Sequence, residues 1–163
     1  RVPVTVGQAA PGTVEALVGQ MQTDIDAAIA SVTPPAEPVA YYHELDDTYY
    51  SITSNTFIGQ VYGLFGLRNV ADTAEGTSDY PQLSAEFLIS QSPDLIFLAD
   101  TKCCGETVET VAARPGWDAI SAVANGGVVA LDDDVASRWG PRVVELVQTI
   151  ADSVNAVATV TAG

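Results

Sequence analysis

The first part of the chain has the apolar spacing of one long amphipathic helix. Between residues 13 and 32, apolar side chains recur at steps of three and four, namely Val14, Leu17, Val18, Met21, Ile25, Ala28, Ile29 and Val32. Thr13 is a suitable N-cap. The segment TPPAEP at 33–38 ends the pattern, because proline cannot continue a helix. We therefore predict a helix over 13–32 followed by a proline-rich linker.

From residue 38 onward, strand-like and helix-like segments alternate. Strands are predicted at 38–45, 94–99 and 126–131, and helices at 55–66, at 84–91 with Ser84 as cap, shortly before residue 113, and from Pro141 onward. The last helix has one apolar face, made of Val143, Leu146, Val147, Ile150, Val154 and Val157. The strands are continuous apolar runs, which is typical of parallel strands covered on both faces. We predict an α/β fold over 39–163, a three-layer sandwich with a mostly parallel sheet, preceded by the 1–38 helix and linker.

Composition and charge exclude several classes of function. Acidic residues number 21 and basic residues 6, a formal net charge of -15, which argues against nucleic acid and anionic membranes as partners. No stretch approaches the ~20 apolar residues of a membrane span. The sequence opens at Arg1 with neither an initiator Met nor a signal peptide, so we expect it to be part of a longer gene product.

The loops that follow the predicted strands hold much of the remaining aromatic and charged character. Ligands of open α/β sheets bind beyond the carboxyl ends of the strands. The relevant loops are DDTYYSITSN, DTKCCGE and DDDVASRWGPR, and their side chains include Asp46, Asp47, Tyr49, Tyr50, Lys102, Cys103, Cys104, Asp132 to Asp134, Arg138, Trp139 and Arg142. A simpler alternative is that Arg138 and Arg142 only pair with the aspartates and close the last loop.

The adjacent residues Cys103 and Cys104 do not have the spacing of a zinc or redox motif. In an oxidising compartment they favour a vicinal disulfide, and Gly105 would permit an unusual backbone angle beside it. Two free thiols, or bonds to cysteines elsewhere in the protein, remain alternatives.

No catalytic motif is present in the sequence. The single histidine, His43, lacks the partner of an H-E-x-x-H site, and G-x-S-x-G, P-loop and G-x-G-x-x-G patterns are absent. We expect His43 to be a packed or surface residue and the protein not to be an enzyme.

Four strings resemble one known family. FIGQVYGLFGLRNVAD, YPQLSAEFLISQSPDLIFLAD, RPGWDAISAVANGGVVALDDD and GPRVVELVQTIAD are similar to the C-terminal lobe of ABC-transporter substrate-binding proteins for iron-siderophores, haem and cobalamin, over about residues 39 to 155. The helix at 13–32 resembles the long helix that joins the two lobes in this family. The resemblance implies one lobe of a bilobal binding protein whose N-terminal lobe lies outside this chain.

The resemblance also implies a function and the residues that carry it. Such proteins capture a ligand between their lobes outside the cytoplasmic membrane, commonly as lipid-anchored proteins, and deliver it to a membrane permease. By position, Glu86 would dock on the permease, although a glutamate in a helix's first turn also complements the helix dipole. Ligand contacts are expected from Tyr49, Tyr50, Tyr80, Arg138 and Trp139. A structural role in the loops is expected for Cys103, Cys104, Asp134 and Arg142.

A ferric siderophore is the expected ligand, bound without direct metal ligation by the protein. Flat aromatic walls and the bidentate guanidinium of Arg138 suit its bulky shell and its carboxylate, catecholate or hydroxamate oxygens. Haem, with a tyrosine or His43 as axial ligand, and cobalamin are the alternatives. A metal-ion receptor fits less well because it needs several histidines. A stand-alone interaction module is a further alternative.

Overall fold

The computed structural model describes residues 14–132 and 142–161, and in these ranges strands and helices alternate as expected. The helices are α1 (Val14–Ala30), α2 (Phe57–Gly63), α3 (Ala85–Gln91), α4 (Thr101–Cys104), α5 (Val108–Ala112), α6 (Ser121–Asn125) and α7 (Val143–Thr161). The strands are β1 (Ala40–Glu44), β2 (Arg68–Asn69), β3 (Leu95–Leu98) and β4 (Val128–Ala130). Short 3-10 turns at Val70–Thr73 and Trp117–Ala119 complete the regular structure. The predicted cap Ser84 accepts a hydrogen bond from the Phe87 backbone N–H at 3.1 Å.

The four strands form one parallel sheet in the order β2-β1-β3-β4. Glu44 at the end of β1 is in register with Leu98 at the end of β3, and Leu98 is in register with Ala130 of β4. From β1 the chain first crosses to β2 on one side and later to β3 on the other. The switch point of the sheet therefore lies between the carboxyl ends of β1 and β3, which is where open α/β sheets place their ligands.

Helices cover both faces of the sheet, so the predicted three-layer α/β sandwich is confirmed. On one face Tyr41 and Phe97 pack against α2 and α7, with α1 beyond them. On the other face Tyr42, Ile96 and Leu98 pack against α3, α5 and the Trp117 turn. The side chains of β1 and β3 thus alternate between two apolar cores, as a strand repeat of two residues requires.

Helix α7 has the predicted apolar face. Leu146, Val147, Ile150 and Val154 are fully buried in the core, and Val143 and Val157 are partly buried. By length and composition alone, the 18 residues Val143–Val160 would suffice for a membrane span, which the sequence reasoning did not anticipate. This one face packs on the sheet and 33% of the segment is buried, so α7 is an amphipathic helix that covers the core with its apolar side.

Helix α1 is partly uncovered. Ala28 near its end is buried, whereas Val14 and Leu17 at its beginning are 74% and 49% exposed. The predicted cap Thr13 lies outside the described residues. The first half of α1 therefore presents apolar side chains that no described part of this chain covers.

Candidate functional site at the carboxyl edge of the sheet

A tight turn follows β1 at the switch point. The Leu45 N–H donates to the Tyr50 carbonyl at 2.9 Å, and the Tyr49 N–H donates to the Asp46 carbonyl at 3.1 Å. The side chain of Asp46 accepts two further bonds from Thr48. These bonds close the turn and hold Tyr49 at a φ of +70°, in the left-handed region that non-glycine residues seldom occupy.

Backbone pairing brings Tyr50 and Tyr80 onto neighbouring segments. The Leu83 N–H donates to the Tyr49 carbonyl and the Ser51 N–H to the Pro81 carbonyl, both at 2.9 Å, and Tyr50 forms an antiparallel bridge with Gln82. Tyr50 is 40% exposed and Tyr80 is 56% exposed. The edge therefore presents two accessible aromatic side chains.

Tyr49 has a different environment from these two tyrosines. Its ring is half-buried and stacks on Trp117, with the centroids 5.8 Å apart. The guanidinium carbon of Arg114 lies 5.4 Å from the Tyr49 centroid and 4.5 Å from the Trp117 centroid. These distances are those of cation–π contacts, so the placement of Tyr49 favours a packing role over that of an open ligand wall.

Arg114 forms an ion pair with Glu44 beneath these rings. Two guanidinium nitrogens donate to the two carboxylate oxygens of Glu44 at 2.8 and 2.7 Å, and one of them also donates to Glu106 at 2.9 Å. The side chain of Glu44 is 0% exposed and that of Arg114 only 13%. Burial lowers the pKa of Arg114, but the bonds and charges of Glu44 and Glu106 outweigh burial and raise this pKa.

Asp100 lies beside this pair, just past the end of β3. It is fully buried, and neither carboxyl oxygen accepts a hydrogen bond from any residue in the described ranges. Burial, followed by the neighbouring Glu44, raises the pKa of Asp100 to about 8. At neutral pH this carboxyl is therefore mostly protonated.

The loop after β3 contains a disulfide between Cys103 and Cys104, at the end of α4. Gly105 follows with a φ of +73°, in the left-handed region that favours glycine. Lys102 in the same helix donates to both carboxylate oxygens of Asp132 at 2.9 Å. Helix α4 is thereby tied to the residue at which the last loop begins.

Arg142 lies where that loop ends and α7 begins. It donates to both carboxylate oxygens of Glu145 at 3.1 and 3.0 Å, and it lies 3.7 Å from Asp132. The aspartates of the loop are the partners expected for Arg142 from the sequence; Asp132 is one of them, and Glu145 is a further partner that was not expected. Asp134, Arg138 and Trp139 lie outside the described residues.

His43 is a packed residue, as expected from the sequence. It is 0% exposed, and its Nδ1 lies 2.8 Å from the Tyr62 hydroxyl. Burial lowers the pKa of His43 to about 4. Because the imidazole is enclosed on the core side of β1, the idea that His43 could be an axial haem ligand is wrong.

Glu86 is exposed in the first turn of α3, two residues after the Ser84 cap. Within the described ranges, no group of three or more His, Cys, Asp or Glu side chains is arranged to hold a metal ion. The exposed side chains that the structure describes at this edge include aromatic rings and carboxylates, which makes the edge the candidate ligand surface.

The sequence reasoning missed the buried cluster of Glu44, Asp100, Arg114 and Trp117. One signal was available, because Glu44 and Asp100 are acidic residues at the ends of otherwise apolar strand runs. The RPGW string that contains Arg114 contributes to the family resemblance but does not indicate a partner for the arginine. Nothing in the sequence indicated that Arg114 meets Glu44, 70 residues away along the chain.

A second concave surface lies at the opposite edge of the sheet. This cavity of about 350 Å³ is mostly apolar and lies between the beginnings of β3 and β4 and the second half of α7. Leu95, Gly127, Val157 and Val160 are among its lining residues. It is far from the carboxyl ends of the strands, and it contains none of the side chains that the sequence placed at a site.

Comparison with known proteins identifies the family. The family model described as periplasmic binding protein matches residues 12–135. A cobalamin-binding protein of Halobacterium salinarum is 33% identical over 132 residues, which are 78% of this chain and 35% of that protein. An uncharacterized ABC transporter substrate-binding lipoprotein of Bacillus subtilis, YvrC, is 29% identical over 67% of this chain and 32% of that protein.

Solved structures show the same architecture. The periplasmic haem-binding protein BhuT, in complex with two haems, matches with a TM-score of 0.70 and 26% identity, over 88% of this chain and 56% of that one. The present chain thus spans about a third of the curated relatives and about half of the solved structure. It belongs to the periplasmic binding protein family, and it corresponds to one lobe.

Proposed function

We propose that this chain is the second lobe of an ABC-importer binding protein and that its ligand is cobalamin or a closely related corrinoid. The observation that carries the proposal is the pair Tyr50 and Tyr80, exposed on neighbouring segments at the carboxyl edge of the sheet. Aromatic rings at this edge suit a wide, flat ring system. The 33% identity to a cobalamin-binding protein supports the same ligand.

The charge of this edge favours a ligand without many negative charges. Asp47 and Asp79 are exposed here. The described cations nearby already bind carboxylates, because Lys102 contacts Asp132 and Arg142 contacts Glu145. The anionic oxygens of a ferric siderophore would meet repulsion at such a surface, whereas the amide side chains of a corrin ring would not.

A ferric siderophore, the ligand expected from the sequence, is the second candidate. Arg138 and Trp139 in the last loop favour it, because a guanidinium can bind catecholate or hydroxamate oxygens in a bidentate manner. Haem is a third ligand to compare, with an exposed tyrosine as the axial group.

The remaining parts of the proposal concern transport. Exposed Val14 and Leu17 support α1 as the helix that continues into the first lobe, since that lobe would cover them. Exposed Glu86 on α3 is proposed to dock on the permease. The protein would act outside the cytoplasmic membrane, held there by a lipid anchor.

The test of ligand identity is calorimetric titration of the protein with its first lobe present. Cyanocobalamin, haemin and a ferric tricatecholate are the three probes, and we expect cyanocobalamin to bind at least tenfold more tightly than the others. Replacing Tyr50 and Tyr80 together by alanine should weaken binding, while Leu64→Ala, which changes an exposed apolar residue directly after α2, should not. If the protein binds the tricatecholate or haemin more tightly, that compound and not a corrinoid represents its ligand. Failure of all three to bind would overturn the proposed function.

The docking role of Glu86 needs a separate assay. Glu86→Gln should leave the dissociation constant for cyanocobalamin unchanged and reduce uptake by vesicles that contain the permease. Glu109→Gln, an exposed glutamate in the first turn of α5, is the matched control and should leave uptake unchanged. Equal uptake by wild type and Glu86→Gln would remove the assignment.

A further inference from the structure

The surroundings of Asp100 are unfavourable for an ionised carboxylate. Asp100 follows Leu98 by two positions, so it lies on the face of the sheet that Leu98 shares with its register partner Glu44. Both carboxyl groups are completely buried, and no described residue donates a hydrogen bond to Asp100. An ionised carboxylate in such a place lacks the hydration and the donors that stabilise it.

The side chain of Asp100 also does not cap the helix that follows it. It is the N-cap residue of α4, yet its side chain makes no capping bond, although aspartate is among the preferred N-caps. Only its backbone carbonyl engages the helix, by accepting from the Cys104 N–H at 3.1 Å. The side chain instead lies on the face of the sheet that carries Glu44, whose charge acts on the Asp100 carboxyl.

Among the described residues, the titratable and charged side chains that face Asp100 come from three elements. Strand β1 contributes Tyr42 and Glu44, and the loop before α5 contributes Glu106. Arg114, from the segment after α5, has its donors on Glu44 and Glu106. In the part of the chain that the structure describes, Asp100 therefore has carboxylates as neighbours and no cation of its own.

We propose that Asp100 is a positioning residue for the ligand edge, in which its neutral carboxylic acid donates a hydrogen bond to Glu44. That bond fixes Glu44 for its two contacts with Arg114, and Arg114 in turn holds the rings of Tyr49 and Trp117. Loss of the proton places a second negative charge beside Glu44. The consequence for ligand rests on the proposed function, whereas the protonation of Asp100 does not.

The route from this cluster to the exposed tyrosines runs through the backbone. The Tyr49 carbonyl accepts from the Leu83 N–H at 2.9 Å, and Tyr50 bridges to Gln82. A change in the Tyr49 ring therefore acts on the pair of segments that present Tyr50 and Tyr80.

Trp117 reports on the cluster without any ligand. The chain has two tryptophans, so a Trp139→Phe background leaves Trp117 as the single emitter. We expect its emission to change with a midpoint near pH 8. Asp100→Asn, which keeps a donor but cannot ionise, should abolish the transition. Asp118→Asn, an exposed carboxylate next to Trp117, is the matched control and should retain it. A flat curve for Trp139→Phe alone, or the same transition in Asp100→Asn, would overturn the proposal.

A measurement on the wild-type chain covers the case in which Asp100→Asn does not fold. Infrared difference spectra between neutral and alkaline pH should show the loss of one protonated carboxyl C=O band, again with a midpoint near pH 8. Absence of a protonated carboxyl at neutral pH would overturn the proposal.

Binding measurements at several pH values distinguish a failure of this proposal from a failure of the proposed function. With the first lobe present, the affinity for cyanocobalamin should fall several-fold as the pH rises through 8 in the wild type and stay constant in Asp100→Asn. If the wild-type affinity for cyanocobalamin does not change with pH although the infrared transition is observed, the positioning role is contradicted. No binding at any pH, with both spectroscopic transitions present, would mean that the proposed function fails while the neutral acid stands.

Discussion

Arg114 and Glu44 form a two-point ion pair, with nitrogen to oxygen distances of 2.8 and 2.7 Å. Glu44 ends β1 and is completely buried, and Arg114 is nearly so. The planar guanidinium places a separate nitrogen against each carboxylate oxygen, whereas a lysine would have to share its one nitrogen between the two. The pair links the end of β1 to the segment after α5 and lies directly beneath the rings of Tyr49 and Trp117.

Arg114→Met should destabilise the chain by about 3–5 kcal/mol, because it leaves the Glu44 charge buried without a cation. Chemical denaturation followed by circular dichroism measures the free energy of unfolding. Arg68→Met is the matched control, since it removes the same charge from an exposed position in β2, and it should cost less than about 0.5 kcal/mol.

The double variant Glu44→Gln with Arg114→Met tests the cause of that loss. Removing both charges should recover part of the stability, since no uncompensated ion then stays in the core. If the double variant is as unstable as the two single losses added together, the ion pair is not the reason for the effect.

The sequence predicted the fold well where periodicity and apolar runs decide the structure. The apolar face of α7, the cap at Ser84 and the parallel strands at 94–99 and 126–131 all follow from local patterns, and they are confirmed. Strand β2 was missed because two residues, Arg68 and Asn69, carry no detectable period.

The site was predicted less completely than the fold. The loop positions of Tyr50 and Tyr80 follow from the alternation of strands and helices, but their pairing depends on backbone bonds between distant segments. The partnership of Arg114 and Glu44 depends on tertiary contacts over 70 residues, which no local pattern encodes. The positive φ of Tyr49 is equally invisible in the sequence, because glycine or asparagine would be the expected residue there.

Gly59→Ala should destabilise the chain, whereas Gly63→Ala should not. Both glycines lie in α2, but a Cβ on Gly59 would collide with the backbone carbonyl of Thr53, while a Cβ on Gly63 meets nothing within 4 Å. Alanine at 63 should therefore gain about 0.5–1 kcal/mol from its higher helix propensity. Thermal unfolding of the two variants measures the difference, and equal melting temperatures would contradict the close approach of α2 to residue 53.

The stability of the chain should fall as the pH rises from about 6.5 to about 8. The folded state keeps a proton on Asp100 up to about pH 8, whereas the unfolded chain releases it near 3.8, so stability from this group is lost between these values. His43 acts in the opposite direction between 4 and 6.5, because the unfolded chain protonates it first. The two effects oppose each other below 6.5, which leaves a net decline above it.

Variants separate these two groups. Denaturant midpoints measured in steps across this pH range should show no alkaline decline in Asp100→Asn, while Asp118→Asn should follow the wild type. An unchanged decline in Asp100→Asn would assign it to another group.

Added NaCl should stabilise the chain. A net charge of -15 on 163 residues makes the folded state repel itself, and salt at ~1 M shortens the screening length to about 3 Å. The melting temperature should therefore rise with salt, and less steeply in a variant with amides in place of the exposed carboxylates Asp47, Glu75, Glu109 and Asp118. A melting temperature that is independent of salt, or equal slopes for the two proteins, would contradict self-repulsion as the cause.

The most direct test of the central claim is a crystal structure of the two-lobed protein with cyanocobalamin bound. The account predicts that the corrin ring lies against Tyr50 and Tyr80, over the switch point between β1 and β3. A corrin ring in the cavity between α7 and the beginnings of β3 and β4, or elsewhere away from the carboxyl edge of the sheet, would contradict it.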